Sequence, residues 1–300
     1  MKEVSKHHRI LNFPNVHGKE QPWLLIDCAF IESGIEYAKK NRCKRILFGS
    51  LDDKKKANKV TIDILERFAG LEGLIWQIPI AKGASLSALH AQEGLKSLSI
   101  DQPNLDIDLA SFPNLEAFGF PFSKEITGFD KASKSLMHIR MSRLSADLEF
   151  LGPVKSLVKL DIIRSDIGSL SGIEKIAKLE ELSLTLCRKL TDISHATKLT
   201  NLHTLSIEGC SRLIDLSVAQ KFNALKTLWL KAKEIESCGF ISGMKSIEFA
   251  SLNAVIKDND VSTFLNSETL EEVWFSPRKR TYVPSMSPDD INERLNARHG

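Results

Sequence analysis

Three hundred residues, 42% of them apolar and 26% charged, are enough to build a large buried core. Lys and Arg number 41 against 38 Asp and Glu, and a net charge of +3 does not argue for bulk nucleic-acid binding. No run of 18 apolar residues occurs, and no apolar stretch follows the basic residues of MKEVSKHHRILNFPNVHGKEQ, so neither a membrane span nor a secretory leader is expected. Cys28, Cys43, Cys187, Cys210 and Cys238 are odd in number and lack C-x-x-C spacing, which predicts reduced thiols and a cytoplasmic protein.

In chain order, QPWLLIDCAF (21–30) predicts a strand, and ESGIEYAKKN (32–41) a helix with Ile35 and Ala38 on one face. With CKRILF (43–48) they suggest a β-α-β opening. KANKVTIDILERFAG (56–70) predicts a helix that turns Val60, Ile64, Leu65 and Phe68 inward. The pattern L-x-x-L-x-L then recurs, as in LKSLSI from Leu95, LVKLDI from Leu157, LEELSL from Leu179, LHTLSI from Leu202 and LKTLWL from Leu225. Aligned on their first apolar position, the units start at Cys43, Leu71, Leu95, Leu115, Leu136, Leu157, Leu179, Leu202, Leu225, Met244 and Leu270. Successive starts differ by 28, 24, 20, 21, 21, 22, 23, 23, 19 and 26. A unit of this length cannot bury its own apolar side, so units must stack around a shared core.

Apolar first, fourth and sixth positions give each unit a short strand, and the strands stack in parallel. GFDKASKSL (128–136), SGIEKIAKL (171–179) and SVAQKFNAL (217–225) predict short helices or 3-10 turns that return the chain. VSTFLNSETL (261–270) predicts one more helix of that kind. SPDDINERLNARHG (287–300) opens with a helix N-terminus signature and is either a cap helix or a tail. The expected division is an N-terminal β-α cap over 1–42, about eleven repeats over 43–276, and a C-terminal segment over 277–300.

This many units in phase resembles the leucine-rich-repeat family over residues 43–276, and most closely its bacterial intracellular members. The resemblance implies an α/β solenoid, a curved horseshoe with a parallel sheet on its concave face and short helices or 3-10 turns on its convex face. LSLTLCRKLTDIS (182–194) and LSIEGCSRLIDLS (205–217) match best. Cys187 and Cys210 hold the ninth position, where the family places a side chain that satisfies backbone groups of the turn. Ser165, Lys233 and Leu252 stand there in other units. No cysteine is followed two residues later by Asp, as the family's bacterial ubiquitin ligases require, and 1–42 lacks the Leu-Pro motif of an F-box.

G-x-x-x-x-G-K-[ST], G-x-S-x-G, H-E-x-x-H and G-x-G-x-x-G are all absent, so no enzyme and no cofactor is expected. His7, His8 and His17 read as a solvated terminal segment in preference to a metal site. Asp258, Asn259 and Asp260 read as a turn or helix cap in preference to a cation loop. Cys28 reads as a core residue in preference to a nucleophile paired with His17.

Function on such a scaffold falls to outward strand positions, the third, fifth, seventh and eighth of each unit. These give His138, Arg140, Arg143, Lys159, Asp161 and Arg164 as a basic stripe with one acid. They then give Glu181, Glu208, Trp229, Lys231, Glu248, Glu272 and Trp274. Trp and Arg carry much binding energy because they bury large areas with few rotors. The leading expectation is a protein partner held in the concave groove. The alternative is nucleic acid or a phosphate ligand on the stripe, extended by Arg278, Lys279 and Arg280; the interleaved Asp161 and Glu181 weigh against it. Behind both stands an enzyme with an unrecognised site, which would need a pocket with converging polar groups. Trp274, in the last unit, is expected to lie buried under the C-terminal helix, whereas Trp229 is expected to be exposed. Ile78 and Phe122 also fall at outward positions but sit beside Pro79 and Pro121.

Overall fold

The computed structural model describes residues 2–5, 8–51, 60–213, 215–276 and 283–298. Two compact units divide it, Met1–Arg140 and Met141–Gly300. His7, Arg278, Lys279 and Arg280 lie outside the described residues.

The first unit opens with β1 (Lys2–Ser5), β2 (His8–Pro14) and β3 (Glu20–Asp27), paired antiparallel in that order. Helix α1 (Ile31–Lys40) then leads to β4 (Arg45–Gly49), which pairs parallel to β3. The β-α-β opening is therefore present, with Ile35 and Ala38 buried beneath α1. The antiparallel strands ahead of it have no counterpart in the sequence reading. His8 belongs to them and is buried, with Nε2 3.0 Å from Ser33 Oγ, which corrects the solvated-terminus reading for that residue. His17 is exposed. Cys28 is buried, and burial pushes its thiol up from the ordinary range, as befits a core residue.

Strands β5 (Gly73–Trp76), β6 (Ser97–Ile100) and β7 (Ala117–Pro121) continue in parallel from β4. The helix expected over 56–70 is a 3-10 turn of Ile62–Arg67 where it is described, and it buries Ile62 and Leu65. The inward residue is Ile62, not Ile64, because a tighter helix shifts the spacing from four residues to three. A single turn, α2 (Ser87–His90), is the next return. Ile78 is buried, so the outward position assigned to it is wrong. Strand β8 (His138–Ser142) straddles the division between units.

The second unit carries β9 (Lys159–Ile163), β10 (Glu181–Thr185), β11 (Thr204–Glu208), β12 (Thr227–Ile235), β13 (Phe249–Ile256) and β14 (Glu272–Phe275). Each pairs parallel with the next in chain order. Fourth- and sixth-position side chains, from Leu160 and Ile162 through Val273, are buried. The returns are 3-10 turns throughout, at Ile173–Lys175, Ser194–Lys198, Ser217–Lys221, Gly239–Gly243 and Ser262–Asn266. The helix expected over 261–270 is thus one 3-10 turn. An Asp just before several of these turns accepts from the backbone inside them: Asp192 from Ser194 N at 2.7 Å, Asp215 from Ser217 N at 2.8 Å, Asp260 from Ser262 N at 3.0 Å. Asp260 is accordingly a capping residue, as the turn reading of 258–260 expects.

Strand ends follow a second rule. The eighth residue takes the left-handed conformation in Arg143, Arg164, Leu186 and Gly209. Its N–H donates to the next rung: Arg164 to Thr185 O at 2.8 Å, Leu186 to Glu208 O at 2.7 Å, Gly209 to Lys231 O at 2.9 Å. That turn drives the ninth side chain into the core. Ser165 Oγ donates to Ile163 O and accepts from Leu144 N, while the Cys187 and Cys210 thiols point at Ile162 O and Leu184 O, 3.6 and 3.5 Å away. Where the ninth residue is Lys233, the strand runs on instead, as it does in the next unit, where Leu252 is a buried sixth-position residue and not the ninth; β12 and β13 are nine and eight residues long.

Helix α3 (Pro288–Asn296) starts from a capping box between Ser287 and Asp290. It buries Ile291 and Leu295, and the Asn292 amide accepts from Val273 N at 2.8 Å and donates to Val273 O at 3.0 Å. These bonds occupy backbone groups of β14 that face away from β13.

Two outcomes test this core. Leu182→Ala should lower stability by ~2–5 kcal/mol in urea unfolding, the usual range for a buried leucine. Native protein titrated with a thiol reagent at pH 8 should leave Cys187, Cys210 and Cys238 slow, since all three are shielded in the core and burial also pushes the Cys238 thiol up to about 11. Half-buried Cys43 should react first, and all five only after unfolding.

Candidate binding face

Register in the second unit lines outward side chains into rows that cross the strands. One row reads Lys159, Glu181, Thr204, Thr227, Phe249, Glu272. The next, two residues along each strand, reads Asp161, Ser183, Ser206, Trp229, Ser251, Trp274. A third reads Ile163, Thr185, Glu208, Lys231, Asn253. The predicted residues Lys159, Asp161, Glu181, Glu208, Trp229, Lys231, Glu272 and Trp274 all take their places in these rows. Arg143 and Arg164 are exposed at the left-handed turns beyond them. His138 and Arg140 stand on the first unit's side of the division, where His138 N donates to Glu116 O at 3.0 Å.

Glu248 is misplaced by the sequence reading. Its N–H donates to Lys226 O and its carbonyl accepts from Glu271 N, both at 2.9 Å. It therefore stands with Lys226 and Glu271 in the second-position column, ahead of the strand. The unit starts at Ile247 rather than Met244, and the intervals 19 and 26 become 22 and 23. Both Met244 and Ile247 are buried and three apart, so the apolar pattern alone fits either start. The correct register places Phe249, Ser251 and Asn253 on the face.

Trp274 is also corrected. It is 47% exposed, matching Trp229 at 48%, because α3 packs beside β14 through Val273 and leaves the outward row open. The other two tryptophans, Trp23 and Trp76, are buried. Trp229 and Trp274 are two strands apart on one row, about 10 Å across the sheet, with Ser251 between them. The Trp229 ring leans diagonally onto Phe249, centroids 4.8 Å apart. The Trp274 indole N–H donates to the Glu272 carboxylate. Both indoles thus lean toward the end where the strands begin.

At that end lies a cavity of about 470 Å³, lined by Thr227, Glu248, Phe249, Glu271, Glu272, Asn292 and Asn296. Lys226 pairs with Glu248 at 2.6 Å, and that hydrogen bond, with the charge of Glu271, raises the Lys226 ammonium above its ordinary range. Elsewhere on the face Lys159 pairs with Glu181 at 2.7 Å and Lys231 with Glu208.

No family model and no curated protein matches the sequence. Among solved structures the chain is similar to an internalin, InlF, of Listeria monocytogenes, with 17% identity over 76% of this chain and 61% of that one, TM-score 0.45. It is similar to a leucine-rich-repeat protein of Leptospira interrogans, with 15% identity over 77% and 66%, TM-score 0.48. It is also similar to the mouse RP105/MD-1 complex structure, with 16% identity over 78% and 47%, TM-score 0.47. The chain spans less than two thirds of each of these. The repeat and its observed register carry the fold assignment. No helix among the described residues is long and apolar enough to cross a membrane.

Acrylamide should quench tryptophan emission in two classes, one accessible and one protected. The accessible class should vanish in Trp229→Ala/Trp274→Ala while the melting temperature changes little; a burial shielding Trp274 would leave only Trp229 in that class.

Proposed function

We propose that this chain is a leucine-rich-repeat protein that acts without catalysis, by holding a partner protein against the strand face of its second unit. The observation that carries this reading is the pair of half-exposed indoles on one row with a serine between them. The core has no need of either ring, since Leu228, Leu230, Val273 and Phe275 fill the inward positions of those strands. Large aromatic side chains held rigidly by a sheet and bordered by polar groups are the usual anchors of protein interfaces.

The pairing of Lys159, Lys226 and Lys231 with carboxylates favours protein over nucleic acid, because a phosphate would have to displace Glu181, Glu248 and Glu208 from their cations. A reducing, cytoplasmic setting is supported by the Cys187 and Cys210 thiols, which can donate to the strand carbonyls only while reduced. Residues 1–42 and α3 are read as the two terminal caps. The Asn292 bonds to Val273 support this for α3, since they occupy the main chain of an edge strand that would otherwise invite pairing.

Baits of wild type and Trp229→Ala/Trp274→Ala, passed through native extract, test the reading. A protein retained by wild type and lost from the variant is the expected result. Identical protein sets on both baits, or nucleic acid alone, would contradict it.

A further inference from the structure

The same face indicates the chemistry of its partner. Resting on the protein-binding reading, we propose that the bound segment is basic, with an arginine or lysine entering the cavity beside Phe249 and an apolar side chain, two residues away, seated on Ser251 between Trp229 and Trp274.

Glu248, Glu271 and Glu272 supply three carboxylates to the cavity lining, and Lys226, held by Glu248, is the cation paired among them. An incoming cation meets an excess of negative charge there, along with the amide side chains of Asn292 and Asn296. It also meets aromatic surface: Phe249 lines the cavity, and Trp229 packs on Phe249. Carboxylates beside aromatic faces suit a guanidinium or ammonium, whose charge is attracted by both and whose stem packs on the rings. An acidic segment would meet the same groups as repulsion.

β13 contributes to both sites, Phe249 to the cavity lining and Ser251 to the row that holds the two tryptophans. Two residues along a strand are about 6.6 Å, which is also the separation of same-side residues in an extended peptide. A segment lying along β13 therefore presents its cation and its apolar side chain at positions i and i+2. Ser251 is the small residue between two exposed indoles in its row, so it leaves room for a side chain such as leucine, isoleucine, methionine or proline beside them.

Fluorescein-labelled decapeptides with a Gly-Ser background carrying Arg-Ser-Leu, Glu-Ser-Leu or Arg-Ser-Ser, read by fluorescence anisotropy against the full chain, test this. The Arg-Ser-Leu peptide should bind wild type, and its affinity should fall at least about tenfold in Glu248→Gln/Glu271→Gln/Glu272→Gln and in Trp229→Ala/Trp274→Ala. Each variant is first matched to wild type by thermal melting; one that melts early is replaced by its single substitutions. The Glu-Ser-Leu and Arg-Ser-Ser peptides should bind at least about tenfold more weakly than Arg-Ser-Leu. Equal binding of the Glu peptide, no binding of the Arg peptide at millimolar concentration, or tighter binding of an oligothymidine probe than of any peptide overturns the inference. A partner lost from the tryptophan variant in extract but retained by the glutamine variant overturns the basic-segment inference while the protein-binding reading stands. Failure of both variants to release any partner removes both.

Discussion

Everything in the second unit depends on the in-register parallel ladder. No rung satisfies its own backbone: Glu181, Thr204, Thr227 and Phe249 each sit opposite a residue of equal rank on the next strand, and the N–H groups at strand entry reach back to the rung before. A buried unpaired amide is costly, so the ladder either propagates or fails. Strict register is what keeps the inward positions apolar and buried, leucine or isoleucine from β9 to β12 and then Ala250, Leu252, Val273 and Phe275. In the units that end on a buried ninth residue the eighth turns left-handed, even when it is Arg143, Arg164 or Leu186, where a side chain makes the conformation less favourable than at Gly209.

That division of labour explains where function can sit. Inward positions are fixed by packing, and the entry column and turns by hydrogen bonding. The outward rows are left to vary, and there the chain places Ser183, Ser206 and Ser251 alongside two tryptophans. Small residues keep the rows low, and the indoles rise above them. Most of the lysines on this face are held by carboxylates one rung away, so it offers defined aromatic anchors more than a broad field of charge.

Much of this was legible in the sequence, for physical reasons. Period-two apolar spacing identifies a strand with one buried face, and repetition of that spacing identifies the stack, so ten of the eleven unit starts coincide with the observed strands. The exception is instructive. Met244 and Ile247 are both buried, and only the backbone ladder through Lys226, Glu248 and Glu271 distinguishes them. Trp274 was misread because position in the last unit implies cover, whereas α3 attaches through the edge of β14 at Val273. The return segments were read as helical at 56–70 and 261–270 because apolar residues three and four apart suit an α-helix and a 3-10 turn alike. Nothing in the spacing of residues 1–14 marks the antiparallel strands there. The acidic cavity is legible only in part: Glu272 follows from the outward-position rule and Glu248 from a shifted register, whereas Glu271 lies in a column that the rule omits.

The central claim, that the strand face of the second unit carries the partner, is tested most directly by photo-crosslinking. Benzoylphenylalanine in place of Trp229 keeps an aromatic ring at the seat, and the same residue in place of Lys221 reports the exposed return turn. The account predicts protein crosslinks from position 229 that are absent from position 221. Crosslinks from 221 alone would place the partner on the returns and contradict it.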